Sequence, residues 1–140
     1  MNNNEIKQLN MALKGEHMAI ESFDHFIKDA QDENVKLKLQ MAQRQHKMQA
    51  VEISERIQKL GGNPVNTSGV VGAMAEMKFR VDPRKYTNEE IVKNAIEGEK
   101  LGADAFRNIL SNLNDNSNKQ LIENMLFANN GIIEDLNKGM

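Results

Sequence analysis

Cysteine and tryptophan are absent from this 140-residue chain, and it holds only two prolines and one tyrosine. Without cysteine there is no disulfide, no thiolate metal ligand and no cysteine nucleophile. Aromatic residues make up 4% of the chain. A sheet draws on aromatic and β-branched residues, so this shortage disfavours a β-rich fold. Neither charge sign dominates: 18 Lys and Arg stand against 20 Asp and Glu, a net charge of −2. No basic stripe with interleaved aromatics appears, so no nucleic-acid partner is expected. No apolar run is long enough to span a bilayer, so no membrane partner is expected either. The opening residues Met1 to Glu5 lack the basic and then apolar pattern of a signal peptide, and a cytoplasmic location is expected. No Gly-rich phosphate loop, no His-Glu-x-x-His and no serine nucleophile turn is present.

What is present favours helix. Leu, Met, Ala, Lys, Glu and Gln are abundant. Apolar residues at 39% and charged residues at 27% suit a folded globule rather than a disordered chain. Residues 1–140 are expected to form a single domain around one core. The nine methionines read as adaptable core filler.

Four apolar stripes run along the chain at helical spacing. The first is Ile6, Leu9, Leu13, Glu16, Ile20, Phe23 and Ile27, with Asn3 or Asn4 as its cap. Gln31-Asp32-Glu33-Asn34 interrupts it and can cap a second helix. That helix carries Leu39, Ala42, His46, Gln49, Ile53, Ile57 and Leu60, and Gly61-Gly62-Asn63-Pro64 ends it. Thr87-Asn88-Glu89-Glu90 is a capping box for a third helix with Val92, Ile96, Glu99, Ala103, Phe106, Leu110 and Leu113. Ser117 with Gln120 forms a second candidate box, before a stripe of Ile122, Met125, Asn129, Ile132 and Leu136. The spacing predicts helices near 4–30, 34–60, 88–113 and 117–137.

A shift of 83 positions overlays the first half on the second. It carries Gly15-Glu16 to Gly98-Glu99, Phe23 to Phe106, Asp32 to Asp115 and His46 to Asn129. The chain is therefore expected to hold two repeated helical hairpins, about 4–60 and 88–137, packed as a four-helix bundle. The 61–87 linker is far longer than an antiparallel neighbour needs. It is expected to cross the length of the bundle, with a short helix within Ser68–Val81. Met74 and Met77 in that helix are alternatives for a partner-binding face.

Glu16 and Glu99 interrupt apolar stripes at equivalent places in the repeat. A carboxylate there needs a proton, a cationic partner or a metal, unless it reaches the edge and snorkels to water. His46, Gln49 and Glu52 follow at three-residue steps and read as one helical face. His46 is read either as a hydrogen-bonded core histidine or as a ligand. His17 and His25 flank the first stripe as surface or boundary groups.

This arrangement resembles the ferritin-like di-metal bundles. These use one Glu from each of two helices and a Glu-x-x-His pair from each of the other two. Glu16 and Glu99 match the lone glutamates. Gln49-x-x-Glu52 and Ile132-x-x-Asp135 stand where the pairs belong and do not match them. Along nearly its whole length the chain also resembles an uncharacterised bacterial family of ferritin-like bundles, known only as a domain of unknown function. Gly15-Glu16, Gly98-Glu99, Leu60-Gly61-Gly62-Asn63-Pro64 and Ser68-Gly69-Val70-Val71-Gly72-Ala73 carry that likeness. The resemblance implies the fold and little about activity.

Two functions compete. The first is binding of a divalent metal such as iron by Glu16, Glu99, His46 and Glu52, with ferroxidase or peroxide chemistry if the site is active. The stripes of the second half offer no histidine, so one metal or none is expected. The second is a non-catalytic structural or interaction bundle that has lost the site, which the missing ligands favour. A homo-oligomer or an unidentified protein partner is compatible with either.

Overall fold

The computed structural model describes residues 2–66 and 86–138. Their secondary structure is four helices: α1 Asn3–Asp29, α2 Glu33–Lys59, α3 Asn88–Asn112 and α4 Asn116–Lys138. Each expected helix is found to within a residue or so at its ends, and the described residues hold no strand.

Local chemistry explains the boundaries. Asp32 caps α2, its side chain accepting from the N–H groups of Asn34 and Val35. The Thr87–Glu90 capping box of α3 is closed in both directions. Two caps differ from expectation. Asn2, not Asn3 or Asn4, precedes α1, and its side chain makes no capping bond. Ahead of α4, Asp115 accepts from the Asn118 N–H, because this aspartate lies three residues before that donor. Ser117 therefore falls inside the helix, where its hydroxyl accepts from Arg56 of α2.

α2 ends in a Schellman turn: the Gly62 N–H donates to Ile57 and the Gly61 N–H to Gln58. Gly61 has φ of 87°, a conformation glycine adopts without penalty. A Cβ on Gly62 would lie 2.7 Å from Ile6 Cγ2, so this glycine lets α1 pack against the end of α2.

The helix ends fix the topology. Asn2 reaches Leu60 and Asn4 donates to the Asn112 carbonyl, so α2 and α3 both finish where α1 begins. At the other end, Asn88 accepts from the N–H groups of Gln31 and Asp32. Both α2 and α3 thus run antiparallel to α1, and Leu60 and Asn88 lie at opposite ends of the bundle. The short helix expected within Ser68–Val81, and the face offered by Met74 and Met77, lie outside the described residues.

The apolar core comes in two parts. Near the start of α1, Leu9, Leu13, Ile53, Ile57, Phe106 and Ile122 pack together. Towards its end, Phe23, Leu39, Ile91, Val92, Ile132 and Leu136 form the second part. Leu9 and Val92, Ala12 and Ala95, Phe23 and Phe106, Leu39 and Ile122, and Ile53 and Leu136, each pair 83 positions apart, are all buried. The stripe of α1 is turned slightly from the expected one. Glu5, Ala12 and Phe26 are buried, whereas Ile6 and Ile27 are only partly covered. Of the described methionines only Met125 is buried, so core filling is not their general role.

Candidate functional site

Between the two apolar parts lies a polar layer. Glu16, His46, Glu99 and Asn129 each sit at, or within two residues of, the middle of their helices. All are buried: Glu16 is 2% exposed, His46 3%, Asn129 3% and Glu99 4%. Helical phase explains the convergence. Each residue replaces an apolar one on its helix's inward stripe, so the packing that buries the stripes carries the polar groups inward with them.

His46 bridges the two glutamates. Its Nδ1 lies 2.9 Å from Glu16 Oε1, and its Nε2 lies 2.5 Å from Glu99 Oε1. As an imidazolium it donates one N–H to each carboxylate. Burial alone would push its pKa down. The hydrogen bonds and charges of Glu16 and Glu99 outweigh burial and raise it to about 10. Glu16 moves up from the ordinary carboxylate value because burial disfavours its charge, against the pull of His46, with Glu99 adding repulsion. Phe23 lies against the imidazole, with ring centroids 5.7 Å apart.

The hydrogen bonding is incomplete. Among the described residues the buried side-chain atoms without a partner are Gln8 Oε1, Glu16 Oε2 and Gln49 Oε1. Asn129 Oδ1 accepts from Gln49 at 3.2 Å and, more weakly, from Gln45 at 3.4 Å. Asn129 therefore faces the amides of α2, where His46, 83 positions earlier, faces carboxylates.

Glu52 does not join the trio. It is exposed and lines a separate groove between α2 and α4 with Met41, Arg44 and Met48. Three-residue steps fall short of a full turn by about 60° each, so two steps from His46 carry Glu52 about 120° around the helix. His17 is half-buried beside the Val65 carbonyl, and His25 is on the surface near Glu21, as expected for boundary groups.

A cavity of about 330 Å³ adjoins the trio between α1 and α3. Met11 and Leu101, both exposed, are among the residues that line it. No sequence pattern announced it, because it arises where Gly15, Ala19, Gly98 and Gly102 put too little side chain between two helices. Among the described residues, no group of three or more His, Cys, Asp or Glu side chains is arranged to hold a metal ion as it stands. No described helix is long and apolar enough to cross a membrane.

Residues 4–135 match the family described as Domain of unknown function (DUF2383). No curated protein matches the chain. Among solved structures, the chain is similar to a dodecameric thioferritin, the bacterioferritin-related protein of Bacteroides fragilis. The TM-score is 0.80 at 19% identity, covering 95% of this chain and 82% of that one. It is also similar to the DPS protein of Vibrio cholerae O1, described as a member of a broad superfamily of ferritin-like diiron-carboxylate proteins. There the TM-score is 0.76 at 15% identity, over 95% of this chain and 86% of that one. A ferritin-like, diiron-carboxylate protein of Bacillus anthracis gives 0.74 at 20% identity, over 99% and 98%. These likenesses establish a ferritin-like helical fold.

Proposed function

The chain belongs to the Domain of unknown function (DUF2383) family and has a ferritin-like fold, and on that premise we propose that it binds a single divalent cation, iron foremost, at Glu16, Glu99 and His46. One observation carries the reading: a buried pair of carboxylates shares a single histidine while Glu16 Oε2 has no partner. Two hard oxygen donors and an imidazole suit a divalent first-row metal. The similar structures from Vibrio cholerae and Bacillus anthracis are described as diiron-carboxylate proteins. Two metals do not fit this chain. Gln49 and Asn129 stand where further charged ligands would be needed, and Glu52 points elsewhere. Bound iron would supply redox chemistry, while Glu16, Glu99 and His46 would hold it.

The proton and the metal compete for His46. Both ring nitrogens face carboxylates, so coordination requires the imidazole to give up a proton and turn. With His46 neutral, a divalent ion balances the two glutamates. Uptake then releases about one proton. A homo-oligomer is the assembly this reading expects, given that the Bacteroides fragilis relative in fold is dodecameric.

The experiment is metal analysis of untagged protein, followed by Fe(II) titration of the metal-free chain in buffers of different ionisation enthalpy. About one ion per chain, with a matching proton release that is lost in Glu16→Gln/Glu99→Gln, supports the reading. No uptake at any pH between 6 and 9 sinks it. A second reading would then take its place, that of a non-catalytic bundle in which the imidazolium is the permanent counter-ion. The engagement of both ring nitrogens favours that alternative.

A further inference from the structure

The cavity beside the trio is larger and more apolar than an ion needs. Its volume of about 330 Å³ is about twice that of an apolar cavity known to admit benzene. Phe23, Phe106, Ile109 and Met18 supply apolar walls, and such surface coordinates nothing. It suits a carbon skeleton, and pockets of this kind fix their ligands through a few placed polar groups.

The polar end is equally defined. Glu16 lines the cavity, is 2% exposed, and keeps Oε2 without a partner. A buried acceptor of this kind calls for a donor. A ligand carboxylate has no donor to give Oε2 and would crowd the two glutamate side chains, and a hydroxyl has a single donor. A protonated amine has three donors to turn towards Oε2.

We propose that this cavity binds a small amphiphile with a protonated amine at one end and an apolar body of about six to eight carbons. The ammonium donates to Glu16 Oε2, and the body lies against Phe23, Phe106 and Ile109. The inference uses the same glutamates as the cation site proposed above, but it requires no metal.

The probes are n-octylammonium, octanol and octanoate, titrated at pH 7 into the metal-free full chain labelled with methyl-13C methionine. Octylammonium is expected to shift the Met11 and Met18 methyl signals saturably, binding about tenfold or more tighter than octanoate. Gly98→Leu places a side chain in the cavity at a helical position where a Cβ meets nothing within 4 Å. It is expected to keep its helical circular dichroism and lose amine binding. Glu16→Gln is expected to remove the preference for amine over octanoate. No saturable shift with octylammonium, equal affinity for octanoate, or undiminished amine binding by Gly98→Leu would overturn the proposal, as would an unchanged preference in Glu16→Gln. The two readings separate because Gly98→Leu retains Glu16, His46 and Glu99. Amine binding without Fe(II) uptake by the wild-type chain defeats the metal site alone, and the converse defeats the amine site alone.

Discussion

Glu5 and Glu16 lie about three turns apart on one helix. Both are buried, and their acidities move in opposite directions. Glu5 sits at the end of the bundle, where its carboxylate accepts from the Asn114 and Asp115 N–H groups and from the Asn118 and Asn4 side chains. Asn118 in turn accepts from Arg56 of α2, at 2.7 Å. Burial would raise the pKa of Glu5, but these donors together hold it below the ordinary carboxylate value. Glu16 has one partner, His46, and an oxygen with none. Depth and donors both separate them: Glu5 lies at the end of the bundle with donors on both oxygens, whereas Glu16 lies at its centre, where burial weighs more on the charge and one oxygen has no partner.

The largest expected effect comes from removing the shared cation. His46→Gln leaves two carboxylates in the core without a positive partner, and the metal-free protein should lose about 3 kcal/mol of stability in urea titration. A loss within error of zero would mean that the glutamates are already protonated at neutral pH. Next comes Glu5→Gln, which puts an amide where backbone N–H groups need an acceptor. It should cost about 2 kcal/mol by the same measurement. The acid limb should change as well. A carboxylate with a lowered folded pKa stabilises above its unfolded value and loses that contribution as pH falls through the folded one. Stability of Glu5→Gln should therefore fall less than that of wild type on going from neutral to acid pH.

The alkaline side tests the central cluster in the same way. His46 is raised from 6.5 to about 10 in the folded state. Its stabilisation is complete below the unfolded value and is lost as pH rises through about 10. Thermal melts between pH 7 and pH 10 should show a falling midpoint in wild type and a flatter profile in His46→Gln. The smallest effect is reserved for Glu16→Gln/Glu99→Gln. It removes the charges but keeps shape and hydrogen-bonding capacity, so metal-free stability should change by about 1 kcal/mol or less. A large loss would show that the ion pairs themselves hold the bundle together.

Sequence carried the helices because their signals are local. The Thr87–Glu90 box and the glycine pair after α2 mark boundaries within a few residues of themselves, and all five stripe residues chosen for α4 are buried. Glu16, Glu99 and His46 were legible for a related reason: a charged or polar residue on an otherwise apolar stripe must go inward with it. Glu52 misled because it was placed by counting threes rather than by angle. Glu5 was invisible. It lies in a polar opening that reads as a helix start, and its backbone partners are 109 and 110 positions away. The cavity could not be read either, since an absence of side chain between two helices is a property of their pairing and not of either stripe.

The mid-length position of the trio has a kinetic consequence. From either end of a 27-residue helix the centre is roughly 20 Å away, through packed apolar side chains. From the flank between α1 and α3 it lies only about one helix radius inside. A ligand reaching Glu16 by that flank would pass the exposed side chains of Met11 and Leu101, whose rotamers interchange in picoseconds to nanoseconds. A ligand held by the trio would then exchange without any opening of the bundle's ends.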